Sequence, residues 1–199
     1  MKERLIDVSI KLFLRKGFNG TSIQDITGGL KISKGAFYWH FKSKDELLET
    51  IIGKYEKEFL DKMLEHIGIP DGDFQKNFRK YHRYISEYAR ENSELCVLFT
   101  TLAAEMAGSE TDAEKRIKEV HVKYLHFIEN LLELGKKDQL FSKELDLKLI
   151  AHIIVAIHNG ILLQWYMNKN TIDGSLLAKT YRDVILYGII HKGIKNRVV

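Results

Sequence analysis

Over residues 4–16 the apolar side chains Leu5, Ile6, Val8, Ile10, Leu12 and Phe13 recur at spacings near three and four, the period of an amphipathic helix. Gly17 stops that helix directly after Arg15 and Lys16, whose charges complement the negative end of its dipole. Thr21-Ser22-Ile23-Gln24 reads as a capping box that opens a second helix, kept short by Gly28-Gly29. Ser33 can cap a third helix over 34–41, and Ser43-Lys44-Asp45-Glu46 is a further capping box before a long helix over about 44–66. The run from Gly68 to Gly72, which holds the chain's one proline, Pro70, is the clearest linker. Beyond it the pattern predicts helices at roughly 73–91, 93–107, 111–135, 145–167 and 173–191. The expected fold is all-α: a three-helix helix-turn-helix domain (1–46) followed by a helical regulatory and dimerisation domain (47–199), with about nine helices in total.

Composition supports this. Val is scarce beside Leu, Ile, Lys and Glu, and straight-chain residues with few breakers favour helix. The net charge of +4 is uneven: residues 1–44 hold nine Lys/Arg against three Asp/Glu, a balance of +6, which leaves the remainder at −2. A basic head on a slightly acidic body points to a polyanion partner for the head alone. The single cysteine, Cys96, excludes an internal disulfide framework and suits a reducing cytoplasm; it reads as a small buried apolar residue between Leu95 and Val97. The first residues carry Glu3, Asp7 and Lys11 where a signal peptide would be apolar, so the expected location is cytoplasmic. Residues 149–168 lack Asp, Glu, Lys and Arg and are long enough to span a bilayer. They also carry His152, His158, Asn159 and Gln164, which are costly in lipid, so the expectation is a helix buried in protein and no membrane partner.

The chemistry concentrates between Thr21 and Lys44. Two short helices joined by about four residues fit a helix-turn-helix, in which the first helix braces and the second enters the major groove. Ile23, Ile26, Leu30, Ile32 and Phe37 can form its small core. Lys34, Tyr38, His40, Lys42 and Lys44 supply donors for phosphate oxygens, and Gly35 lets backbone N–H groups come close to a phosphate or base edge. Trp39 lies off the Phe37/Phe41 face, and an exposed indole there favours contact with a base or sugar.

These residues resemble those of the TetR family of bacterial transcriptional regulators. The resemblance is carried by Phe13-Leu14-Arg15-Lys16-Gly17-Phe18, by Thr21-Ser22-Ile23-Gln24-Asp25-Ile26, and by the run from Ile32-Ser33-Lys34-Gly35-Ala36-Phe37 through Tyr38-Trp39-His40-Phe41-Lys42-Ser43-Lys44. It implies phosphate contacts for Thr21 and Ser22. It places Lys34, Gly35, Ala36 and Trp39 near base edges and phosphates, with Ser33 at the start of the helix that carries them, and Tyr38, His40 and Lys44 on the DNA backbone. Two positions depart from the pattern. Lys31 stands in the turn where the family has Gly, and Gly28-Gly29 can take over by ending the second helix earlier; Ser9 stands where Ala is usual.

No HExxH run, phosphate-binding glycine loop or nucleophile elbow is present, so no enzyme activity, metal or cofactor is expected. The resemblance implies a ligand cavity in the body, for which Tyr81, Phe99, Tyr124, His158 and Gln164 are candidates, and a largely apolar small-molecule effector. It also implies a homodimer through the last two helices; Tyr181, Ile185, Tyr187 and Ile189 of the final helix can pack beside 149–166. Such a dimer would bind a palindromic double-stranded operator, most simply as a repressor. The alternatives are a ligand-independent regulator or activator on the same scaffold, or a small-molecule-binding protein or enzyme with a vestigial head.

Overall fold

The computed structural model describes residues 1–142 and 144–189. Those residues form helices α1 (Lys2–Lys16), α2 (Ile23–Leu30), α3 (Lys34–Tyr38) and α4 (Lys44–Tyr55), a π-helical turn (Glu56–Asp61), then α5 (Lys62–Ile67), α6 (Phe74–Glu91), α7 (Ser93–Glu105), α8 (Asp112–Lys137), α9 (Leu147–Met167) and α10 (Gly174–Ile189). No strand occurs among them. Because α4, the π turn and α5 follow one another without a break, the described residues make nine helical rods. The predicted end of the last helix at 190–191 lies outside the described residues, as does any statement on the side chain of Ile189.

Two compact units emerge from the packing. The first is Met1–Asp61 with Asn92–His121, and the second is Lys62–Glu91 with Val122 onward. The first therefore contains the whole head together with α7 and the start of α8. Leu5, Ile6, Ile10 and Phe13 of α1, Ile26 of α2, Phe37 and Phe41 around α3, and Leu47 and Leu48 of α4 are buried in its core. Each such side chain contributes about 1.5–3 kcal/mol relative to exposure. Helix α7 packs on α1 and α4. Ser9, fully buried, has no hydrogen-bond partner for its hydroxyl. Cys96 is buried in α7, where desolvation pushes its thiol up to about 12, so it stays protonated and acts as a core residue.

The long rod is less regular than its sequence pattern. Its π turn buries Glu56, Phe59 and Leu60, and the Glu56 carboxylate is ion-paired with Arg116 of α8. A π turn spreads one extra residue over a turn, and such insertions are common at functional points of long helices.

The second unit is built on Phe74, Phe78, Tyr81 and Ile85 of α6, on Phe127, Ile128, Leu131 and Leu132 of α8, and on Ala151, Ile154 and Val155 of α9. The expectation that 149–168 is buried in protein needs correction for a single chain. Helix α9 is long and apolar enough to cross a membrane, yet only 28% of its most apolar window is buried. Its outward stripe runs Leu149, Ile153, Ile157, Gly160, Gln164 and Met167, at steps of three and four residues that keep them on one face. On α10, Leu176, Val184 and Tyr187 are likewise exposed.

Candidate DNA-binding face and effector cavity

Side-chain caps position the helix-turn-helix. Ser22 accepts the Asp25 N–H at 3.1 Å, and the Asp25 carboxylate accepts the Ser22 N–H at 2.8 Å, a complete capping box. Lys16, hydrogen-bonded to Asp25 at 2.6 Å, together with Ser22 holds that carboxyl well below the usual range. Ser33 caps α3 by accepting the Ala36 N–H at 3.2 Å. Helix α3 is shorter than its predicted 34–41: after Tyr38 the chain tightens, with Phe37 O accepting both the His40 and the Phe41 N–H.

The turn between α2 and α3 corrects one expectation. Gly28 and Gly29 do not end the helix early; they remain inside α2, and Lys31 itself takes the left-handed conformation at φ 56°, ψ 44°. Its N–H bonds Gly28 O and the Ile32 N–H bonds Thr27 O, the paired bonds of a Schellman cap. Gly29 serves packing instead, since a Cβ there would stand 2.9 Å from a Val8 methyl of α1. A non-glycine residue in this conformation costs on the order of 1 kcal/mol. Lys31→Gly is therefore expected to raise unfolding free energy by about 1 kcal/mol in a urea titration, the lysine in the turn having no compensating contact in the fold.

Around this turn the side chains sort into two groups. Ser22, Ser33, Lys34, Gly35, Tyr38, Trp39 and Lys42 are exposed, and Ala36 and His40 are half-exposed. Trp39 is 81% exposed, braced edge-on by His40 at 4.7 Å between ring centroids. Tyr38 stands edge-on to buried Phe37 and leaves its outer part in solvent. These residues offer cations, hydroxyls and an indole to solvent. Exposed Gln24, the second residue of α2, is a further polar side chain beside this region that is not among the contacts expected from sequence.

Thr21 and Lys44 turn inward. Thr21 is 1% exposed and its hydroxyl donates to Gly17 O at 2.8 Å, so the expected phosphate contact from this side chain does not fit. The Lys44 ammonium donates to Phe18 O at 2.7 Å and Thr21 O at 2.8 Å and lies 4.1 Å from the Phe18 ring centroid. Two of its three donors are thus engaged with the α1–α2 loop, where the resemblance implies a contact with the DNA backbone. The amide side of the same loop is held by Glu105 of α7, whose carboxylate accepts the Phe18 and Asn19 N–H groups at 3.0 Å each. Sequence reading missed Glu105, because nothing in the local pattern of α7 marks it.

The second unit contains a cavity of about 510 Å³ among α6, α9, α10 and the residues just before α10. That size suits a small organic ligand. Ile161, Leu162, Trp165 and Tyr181 line it with apolar surface. Arg79, Arg83, Arg90, Lys179 and Arg182 also line it, against only Glu87 and Asp173, so its field favours an anion. The three α6 arginines are four and seven residues apart and share a helix face, a signal present in the sequence.

Of the five pocket candidates, His158 lines this cavity. Tyr81 and Tyr124 are buried behind it, with the two hydroxyls 2.6 Å apart and Tyr124 Oη 3.1 Å from His158 Nδ1. Gln164 lies on the exposed stripe of α9 and is not in the lining. Phe99 belongs to the first unit, stacked on Tyr55 at 3.9 Å between ring centroids, and does not line the cavity. Burial lowers His158 to about 4, so its ring is neutral at physiological pH. His82, also lowered to about 4 chiefly by burial, leaves Nε2 without a partner.

Comparison with known proteins adds the lineage. Residues 5–51 match the family described as bacterial regulatory proteins, tetR family, and residues 54–188 match the YsiA-like protein, C-terminal region. The Bacillus subtilis HTH-type transcriptional regulator YerO is 52% identical over 62 residues, which cover 31% of this chain. YuxN, from the same organism, is 31% identical over 150 residues, 73% of this chain. The chain spans 22% of the length of YerO and 50% of YuxN. Among solved structures, the MbdR regulator from Azoarcus sp. CIB aligns with a TM-score of 0.84 at 25% identity, covering 94% of this chain and 98% of MbdR. FadR from Bacillus subtilis, solved in complex with stearoyl-CoA, aligns with a TM-score of 0.75 at 18% identity, covering 95% of this chain and 100% of FadR.

Proposed function

We propose, on the premise that this chain belongs to the TetR family of bacterial regulatory proteins, that it is a cytoplasmic repressor. It binds a palindromic operator as a homodimer and leaves it when a small molecule enters the cavity of its second unit. The observation that carries DNA binding is the solvent exposure of Ser22, Ser33, Lys34, Gly35, Ala36, Tyr38, Trp39 and His40 on a fully capped helix-turn-helix. Lys34 and Trp39 reach base edges and neighbouring phosphates, while Ser22, Tyr38 and His40 fix register on the backbone. Residues 1–46 carry this work, and 47–199 carry ligand binding and dimerisation.

The dimer forms through the exposed stripe of α9 and its companion on α10, where Gly160 permits close approach. The effector is an amphipathic anion: an apolar body against Ile161, Leu162 and Trp165, and an acidic group at the arginines. Acyl-CoA thioesters have this chemistry, and a structural relative was solved with one. The arginine rim adds a charged group to the largely apolar effector expected from sequence.

Selection from random duplex DNA, followed by gel shifts at several salt concentrations, tests the reading. A twofold-symmetric site should emerge, with log K falling steeply and linearly in log salt as counterions are released. Micromolar long-chain acyl-CoA should release the complex. Failure to select any specific site would overturn DNA-directed regulation; a site whose affinity no acyl-CoA alters would overturn the effector class.

A further inference from the structure

The hydroxyls of Tyr81 on α6 and Tyr124 on α8 and the His158 ring on α9 form a chain of hydrogen bonds that ends at the cavity wall. Protons in such a chain can run one way or the other, and the surroundings decide. Tyr81 is fully buried, and the polar atom its hydroxyl meets is Tyr124 Oη. A buried hydroxyl proton without an acceptor leaves its desolvation uncompensated. Among these three side chains, the order that gives every proton an acceptor is Tyr81 donating to Tyr124, and Tyr124 donating to His158 Nδ1. A neutral imidazole has one N–H; with Nδ1 accepting, the proton sits on Nε2.

We infer that His158 Nε2–H is a fixed hydrogen-bond donor in the cavity wall, oriented by the two tyrosines. It selects effectors that carry a carbonyl oxygen between an apolar chain and an anionic group, as an acyl thioester does. His158 is neutral at physiological pH, since burial holds it near 4, so the single-proton bookkeeping holds under working conditions. The donor lies on the same wall as Leu162 and Ile161, with the α6 arginines also in the lining, so one molecule can meet all three chemistries. This inference rests on the cavity being the effector site. His158 is a ligand-contacting residue in it; Tyr124 and Tyr81 act through His158 and are positioning residues.

The test compares dodecanoyl-CoA with S-dodecyl-CoA, the thioether that lacks only the carbonyl oxygen, by calorimetric titration of the full-length protein. The thioester should bind about tenfold more tightly, the equivalent of about 1.4 kcal/mol. His158→Leu should bring the ratio close to one, and His158→Gln, which keeps an N–H, should restore part of it. Tyr124→Phe should shrink the ratio without touching the ligand. Independently, nitrogen NMR of the histidine-labelled wild type should show the His158 proton on Nε2, and Tyr124→Phe should allow both tautomers. Equal affinities in the wild type, or a proton on Nδ1, would overturn the donor. Binding of neither compound would instead overturn the assignment of the cavity to CoA thioesters, and with it this site.

Discussion

Replacing Ile153 and Ile157 together by aspartate is expected to give a folded monomer whose operator affinity is lower by at least about a hundredfold. Both side chains are exposed on α9 in the single chain, so neither is needed for the core of the second unit. Burying each against a second copy would contribute about 1.5–3 kcal/mol, and a dimer contains each twice. The aspartates would instead bring four carboxylates together without partners, which is far costlier than the lost apolar contact. A monomer holds one recognition face and reads one half-site, so it forfeits the effective concentration that links the two halves of a palindrome. Sedimentation equilibrium reads the assembly and gel shifts read the affinity. A variant that remains dimeric with wild-type affinity would place the interface elsewhere.

Glu105→Ala is expected to lower unfolding free energy by about 2–3 kcal/mol and operator affinity by a factor of tens, with the other head residues untouched. The carboxylate accepts two backbone N–H groups of the α1–α2 loop, at Phe18 and Asn19. Hydrogen bonds to a charged group are worth about 1.5–3 kcal/mol each, and the partial exposure here reduces that. The same loop leads directly into Ser22, the N-cap of α2. Loosening it therefore widens the range of orientations of α2 and of α3 behind it. Gly17 in the same loop sits at φ 74°, a positive backbone angle that strains any residue with a side chain. Denaturant melts and gel shifts of Glu105→Ala and Glu105→Gln check this; the glutamine retains one acceptor and should fall between. Wild-type DNA affinity in a destabilised alanine variant would mean that the clamp serves stability alone.

The head was legible from sequence to within a few residues, because apolar period and capping chemistry are both local. Ser33 and Ser43 each cap the helix expected of them, whereas the box expected at Thr21–Gln24 forms one residue later, with Ser22 as the cap and Asp25 as its partner. What local pattern cannot choose is the acceptor a donor will take. Thr21 and Lys44 are donors of the expected kind, but within the fold they donate to the carbonyls of Gly17, Phe18 and Thr21. Likewise a glycine pair signals either a turn or a close approach. Here Gly29 meets Val8 across the helix pair, and a lysine adopts the strained turn. The π turn at Glu56–Asp61 has no signature in the apolar period, since it arises from how a rod meets its neighbours. Of the residues expected at the cavity, His158 lines it and Tyr81 and Tyr124 stand behind that histidine. That they share one chain of hydrogen bonds depends on three helices meeting, which no one helix encodes.

That chain of tyrosines also bears on how effector preference drifts among related regulators. If His158 meets the effector as proposed, its tautomer is set by residues on α6 and α8 that lie outside the cavity wall. A descendant could exchange Tyr124 for phenylalanine, keep every residue of the cavity wall, and yet lose the fixed donor, leaving a histidine that can donate or accept. Grouping relatives by wall residues alone would place two such proteins together although they answer to different metabolites; the residue to compare is the one behind the histidine.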